Sequence, residues 1–175
     1  MALQNFDCEL RPLASTDIKA VTELTVSCTG CERDVEEAMF TRAVTGTGSK
    51  GIHLVAIVRG QLIGWSRASL FEAPSDAPSN VAPNGWYLLG LAVHPEFRRR
   101  GVGAALTDAR LGWISERSAM AWYFTDETNE ASIRLHRSRG FRYVASNFWF
   151  PGTNFHRGSG TLFVRDNLSI DGRNT

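Results

Sequence analysis

Arg98-Arg99-Arg100-Gly101-Val102-Gly103 lies between the apolar run Trp86–Val93 and a helical pattern that starts at Gly101. Glycines in such a turn let the backbone pass close to a ligand. The first N–H groups of the helix have no intrahelical partner, and the helix dipole adds about half a positive charge at that end. With three arginines beside it, the natural guest is a diphosphate. The turn lacks the third glycine of a dinucleotide fingerprint and the Gly-Lys-Ser/Thr of a Walker loop. Taken alone, it fits a solvated basic loop equally well. Further along, Asp126 closes an apolar segment, Asn129 opens a short helical pattern containing His136, and Gly140-Phe141 ends it.

Two spaced motifs in this order are more specific than either alone. The stretch LGLAVHPEFRRRGVGAALTDA, followed by a strand and then Asn129…His136…Gly140-Phe141, resembles the GNAT superfamily of N-acetyltransferases. Arg98, Gly101 and Gly103 match its phosphate signature, Arg/Gln-x-x-Gly-x-Gly/Ala. The resemblance covers roughly residues 85–145 closely, and only the topology before that.

The resemblance implies acetyl-CoA as acyl donor and assigns roles by position. Leu91, Ala92 and Val93 would pair through their backbone with the pantetheine arm, the Val93 N–H facing the thioester oxygen. Arg98, Arg99, Arg100, Gly101, Val102, Gly103 and Ala104 would hold the pyrophosphate, and Asn129 the pantetheine or its flanking backbone. His136 stands where many members carry a Tyr that protonates the departing thiolate. Histidine can donate a proton near neutral pH; the alternative is a spacer packed beside the cofactor sulfur.

Acetyl transfer needs a neutral amine, so a base is expected. Asp126 occupies a position similar to that of an acid in aminoglycoside N-acetyltransferases, with helix capping as its other reading. Glu72 is the second candidate base. Glu32, Asp34, Glu36 and Glu37 would attract a cationic acceptor, or simply form a solvated face. Trp86, Trp149 and Phe150 line an apolar slot or belong to the core. The expected activity is acetyl transfer to an amine of a small polar molecule, aminoglycoside- or polyamine-like. Transfer to a protein or peptide amine, and a non-catalytic acyl-CoA sensor, are the alternatives.

These residues need a scaffold, and hydrophobic periodicity supplies one. Strands are expected at Asp7–Pro12, Ile52–Val58, Gln61–Leu70, Trp86–Val93, Met120–Thr125, Phe141–Phe150 and Gly160–Arg165. Helices are expected from Ser15 to Gly30, Glu32 to Val44, Gly101 to Arg117 and Asn129 to Arg139. Arg59-Gly60 reads as a hairpin turn and Gly90 as a kink. Ala73–Gly85 reads as a loop with little to bury, and 167–175 as a frayed tail. The result is an α/β fold, a mixed and largely antiparallel sheet flanked by helices, in a single domain spanning 1–175.

Composition excludes several classes. Lys and Arg total 19 against 18 acids, a formal charge of +1, which argues against nucleic-acid binding. There is no apolar run of ~20 residues for a membrane span, and the start has no signal-peptide layout. Three cysteines suit no disulfide scaffold, and Cys28-Thr-Gly-Cys31 has no second pair for zinc, so no metal is expected. A cytoplasmic chain, monomeric or homodimeric, is the simplest reading.

Overall fold

A computed structural model describes residues 8–48, 50–153, 155 and 160–167. In chain order these form β1 (Glu9–Pro12), a 3-10 turn (Ser15–Asp17), α1 (Ile18–Thr29), α2 (Arg33–Thr45), β2 (Gly51–Val58) and β3 (Gln61–Phe71). There follow β4 (Gly85–Val93), a second 3-10 turn (Pro95–Phe97), α3 (Val102–Ser115), β5 (Met120–Asp126), α4 (Glu130–Arg137), β6 (Arg142–Ser146) and β7 (Gly160–Asp166). The strand order is β1-β2-β3-β4-β5-β7-β6. β4 and β5 run parallel, while β1–β2, β2–β3, β5–β7 and β6–β7 are antiparallel. This is the expected mixed α/β architecture.

The chain divides into two compact units, Met1–Ser69 with Leu89–Arg110, and Leu70–Leu88 with Leu111–Thr175. In the first unit, β2 and β3 meet at Arg59 (φ 49°) and Gly60 (φ 78°), the left-handed pair of a tight hairpin whose twist suits the flanking strands. Strand alternation then sorts side chains to two faces. Val55, Trp65 and Ala92 bury against Val21 and Leu24 of α1 and Phe40 of α2. Leu54, Ala56 and Ile63 bury against Val102 and Leu106 of α3.

β4 is not a regular strand. Gly90 has φ +51°, and a Cβ there would lie 2.7 Å from Cη2 of the Trp65 ring, so only glycine fits this kink. Beneath it Arg110, 1% exposed, spreads its guanidinium among main-chain acceptors. Its Nη1 donates to the carbonyls of Arg67 (3.1 Å), Leu89 (3.3 Å) and Gly90 (3.4 Å). Its Nε donates to Leu106 O at 3.3 Å, and Nη2 to Thr107 Oγ1 at 3.1 Å. Helical periodicity alone would put Val102, Ala105, Leu106, Ala109 and Trp113 on the buried face of α3. The fully buried row instead reads Val102, Leu106, Arg110 and Ile114, at four-residue spacing, with a charge inside it.

In the second unit β5 pairs with β7 from Met120↔Asp166 to Asp126↔Gly160. One aromatic group joins Phe71, Tyr87, Phe124 and Phe150, with Phe71–Phe150 ring centroids 4.4 Å apart. Burial raises the Tyr87 hydroxyl above the usual phenol range while it donates to Pro83 O at 2.7 Å.

Three expectations are corrected here. The strand expected over Phe141–Phe150 stops at Ser146, because Asn147 turns left-handed (φ 58°) and sends the chain away from β7. The 73–85 loop is less open than its composition suggests: Ala82 is 1% exposed and donates to Trp149 O at 2.9 Å, and Trp149 N donates to Asn80 O at 2.9 Å. Asn167, expected to begin a frayed tail, is buried, and its Nδ2 donates to Ser118 O at 3.2 Å. Asp7 and residues 168–175 lie outside the described residues.

Replacing Arg110 with Met keeps the volume and removes the donors to the Arg67, Leu89 and Gly90 carbonyls. Each buried carbonyl left bare costs roughly 1–3 kcal/mol, so urea denaturation of Arg110→Met should show a loss of about 3 kcal/mol or more. A midpoint within error of the wild type would show that water replaces the guanidinium without cost.

Candidate functional site

The phosphate-type turn begins where β4 ends. His94 N donates to Ile63 O at 2.8 Å, which holds the strand end against β3, and the turn at Pro95–Phe97 follows. Arg99 (φ 61°) and Gly101 (φ 88°) are both left-handed. Alternation of right- and left-handed residues aims successive N–H groups into one concavity, an arrangement suited to anions. Ala105 N donates to Gly101 O at 2.9 Å, which closes the first turn of α3 and leaves the earlier N–H groups without helical partners. A Cβ placed on Gly101 meets nothing within 4 Å, so the space beside this backbone is open. The Val102 side chain is buried and anchors the helix start in the core.

The three arginines do not act alike. Arg98 folds back: its Nε donates to Val93 O at 3.0 Å, and its Nη2 lies 3.6 Å from Cys28 Sγ. Cys28 Sγ itself is 3.8 Å from Val93 O. Arg98 thus fixes the carbonyl at the strand end. Arg100 lies over the Phe97 ring at 5.6 Å, and Arg99 is exposed. Along the strand, Ala92 packs toward α1 and α2, whereas Leu91 and Val93 pack toward α3. Leu91–Val93 and Arg98–Ala104 therefore occupy one unit, in sequence around one strand-turn-helix.

The second unit holds the other predicted residues. Asp126 ends β5, and its Oδ1 accepts from Thr128 N (2.9 Å) and Thr128 Oγ1 (2.6 Å). Asn129 caps α4, its Oδ1 accepting from Ser132 N at 3.2 Å. Asn129 N donates to Asp126 O at 3.0 Å, so the two side chains share one turn. Glu72 is exposed just beyond β3, away from any such network.

His136 is 2% exposed. Its ring stacks on Tyr123, with centroids 3.6 Å apart and planes 7° apart, and meets Phe141 edge-on. Nδ1 lies 2.8 Å from Ser132 O; a carbonyl only accepts, so this nitrogen carries the proton. Tyr123 OH donates to Ser132 Oγ at 2.6 Å. Sequence reasoning missed Tyr123 and Arg110, although a charge at four-residue spacing from Leu106 on an apolar stripe was a readable signal for Arg110.

Glu32, Asp34 and Glu37 are exposed at the start of α2, with Glu36 half-buried. Trp86 packs edge-to-face on Trp113 at 5.0 Å. Cys28 and Cys31 are free thiols, and no metal-binding cluster of His, Cys, Asp or Glu occurs among the described residues. No helix among them is long and apolar enough to cross a membrane.

The sequence profile of the acetyltransferase (GNAT) family matches residues 18–141, from the start of α1 to the Gly-Phe that closes α4. The chain belongs to the GNAT family. Among curated relatives, mycothiol acetyltransferase of Acidothermus cellulolyticus is 32% identical over 108 residues, covering 58% of this chain and 33% of that protein. The chain thus spans about a third of that relative's length. Among solved GNAT-like structures, the ribosomal-protein-S18-alanine N-acetyltransferase of Escherichia coli matches with TM-score 0.68 at 18% identity, covering 97% of this chain and 99% of that one. The phosphinothricin acetyltransferase of Sinorhizobium meliloti, solved with acetyl-CoA, matches with TM-score 0.67 at 21% identity, covering 91% and 88%. These structural likenesses establish the fold.

The His136 stack gives a direct test. His136→Ala should destabilise the GNAT fold by about 2–4 kcal/mol in urea denaturation, because a stacked ring is removed from a closed site. His136→Phe should recover most of that loss. Equal and small losses in both would mean that the ring bears no packing load.

Proposed function

We propose that this chain is an acetyl-CoA-dependent N-acetyltransferase acting on a primary amine of a small polar molecule, by direct attack within a ternary complex. The observation that carries the reading is the left-handed Arg99–Gly101 turn, which opens α3 directly behind the kinked end of β4. Its open backbone fits a diphosphate, which is what the nucleotide half of acetyl-CoA presents. When bound, acetyl-CoA supplies the thioester whose acetyl group the amine takes up.

Gly101, Val102, Gly103 and Ala104 bind the pyrophosphate through N–H groups, with Arg99 and Arg100 adding charge at the mouth. Leu91, Ala92 and Val93 would hold the pantetheine arm through their backbone, and the Val93 N–H would supply a donor for the thioester oxygen. Arg98 keeps that strand end in place through the Val93 carbonyl. Asn129, whose side chain caps α4, would hydrogen-bond the pantetheine.

On the acceptor side, Asp126 is the carboxylate that takes the amine's proton, held in orientation by Thr128. Glu72 is the alternative base. The exposed acids Glu32, Asp34 and Glu37 favour a cationic acceptor, which supports a small polyamine- or aminoglycoside-like molecule. His136 is read as a packing element. Its Nδ1 is held by Ser132 O and its ring lies flat on Tyr123, which supports the packing reading. If kcat has an alkaline limb that His136→Phe removes, the acid role returns.

Release of free thiol from acetyl-CoA with a panel of amines tests the activity. Turnover with small polyamines or aminoglycosides supports the reading; turnover only with peptide amines moves the acceptor to proteins, and binding without turnover makes the chain a sensor. Gly101→Asp should abolish acetyl-CoA binding, because a carboxylate would stand where the diphosphate lies. Gly101→Ala carries the same backbone strain of roughly 1–2 kcal/mol and serves as the folding control. Retained affinity in the Asp variant would sink the site. Asp126→Asn keeps an oxygen for both Thr128 bonds and removes the carboxylate charge. Its kcat should fall roughly 10²–10⁴-fold with acetyl-CoA affinity unchanged. An unaltered kcat would leave Asp126 as a cap and turn attention to Glu72.

A further inference from the structure

A cavity of about 170 Å³ opens under the C-terminal half of α2, lined by Met39, Arg42, Ala43, Gly48, His53 and Arg67. It lies entirely within the first unit and has no part in the acetyl-transfer site described above. His53 and Arg67 are direct partners across the β2–β3 ladder, so both side chains project to the same face. Arg42 stands exposed on α2 at the cavity.

The hydrogen bonding there is incomplete. Arg67 Nη1 reaches Met39 Sδ at 3.3 Å, and a thioether is a weak acceptor. Arg67 Nε and His53 Nε2 are buried with no hydrogen-bond partner among the described residues. Buried donors of this kind are normally paired, and a guanidinium presents its donors as a fork matched to two oxygens. Burial lowers the Arg67 pKa, with Glu36 opposing that effect from a distance. Burial, and then the Arg67 charge, push His53 down to about 4, so near neutral pH the imidazole is uncharged. The charged side chains that line the cavity are Arg67 and Arg42, while Glu36 acts on Arg67 without lining it.

We propose that this cavity binds the carboxylate or phosphate group of a small anionic molecule. The anion displaces the flexible Met39 thioether, accepts from Arg67 Nε and Nη1 as a bidentate pair, and accepts a third bond from His53, with Arg42 at the mouth. A methionine is the side chain best able to swing aside, being unbranched and tolerant of several rotamers. The volume equals that of roughly five or six waters at about 30 Å³ each, enough for one oxyanion and a short organic stem. Binding brings a negative charge to His53 and favours its protonated form, so affinity should rise as pH falls through the bound-state pKa of His53.

The test uses the full chain with inorganic phosphate and, separately, succinate, observing the His53 ring signal by NMR and assigning it by its loss in His53→Gln. The α3 turn also attracts anions, so the local His53 signal is the readout. Saturable shifts are expected, together with a rise of the His53 pKa above its value of about 4. Arg67→Gln should weaken binding by roughly tenfold or more, the scale of a lost charge-assisted pair. Arg42→Ala, at an exposed position, should weaken it a few-fold without touching the fold, and so covers the case in which Arg67→Gln fails to fold. Absence of a saturable His53 response to either anion, or full affinity in Arg42→Ala together with Arg67→Gln, overturns the proposal.

Discussion

A strand that must leave its regular course needs something to hold it where the ladder no longer does, and here that is the Arg110 guanidinium. It gathers three carbonyls from β3 and β4 at the point where Gly90 turns left-handed over Trp65. Removing a charged group from water is expensive, and several hydrogen bonds are needed to offset it. Once made, they fix α3 to the kink. The Arg99–Gly101 turn, which begins the same helix, inherits its position from that attachment. The kink, the strand end and the anion-receptive turn are thus one mechanical object, with Arg98 and Cys28 tying its far side through the Val93 carbonyl.

The chemistry-bearing side chains of the second unit carry structural duties as well. Asp126 orders the turn into α4, Asn129 caps that helix, and His136 holds its last turn to Tyr123 and Ser132. A polar side chain satisfied in this way is positioned before any ligand arrives, which is the condition for oriented reaction. The same bonds restrict what each group can do. Thr128 holds Oδ1 of Asp126, and Ser132 O holds Nδ1 of His136, so each group keeps one orientation.

Legibility in the sequence followed the physical origin of each feature. Elements set by local periodicity and turn chemistry could be read within a few residues: both helices that end at Gly30 and Gly46, the Arg59-Gly60 hairpin, and the strand-turn-helix at Arg98–Gly103. The kink at Gly90 was readable because glycine in an apolar run has few other reasons to be there. Features set by contacts distant in sequence were not. The truncation of β6 depends on Asn147 and on Trp149 pairing with Val81 of the loop, and the burial of Asn167 depends on Ser118. The His53–Arg67 pair was hidden for the same reason. Each residue looks like an ordinary exposed position until the register sets them opposite one another.

The first unit is discontinuous in sequence, and this has a consequence for how the chain emerges from a ribosome. Leu54, Ala56 and Ile63 form one apolar face of the β2–β3 hairpin, and their cover is Val102 and Leu106. At roughly 5–20 residues per second, about two to nine seconds of synthesis separate Ile63 from Leu106. During that interval the hairpin has its α1 and α2 side available and its other side bare. The nascent chain therefore passes through a half-covered sheet, the form most exposed to strand-to-strand association.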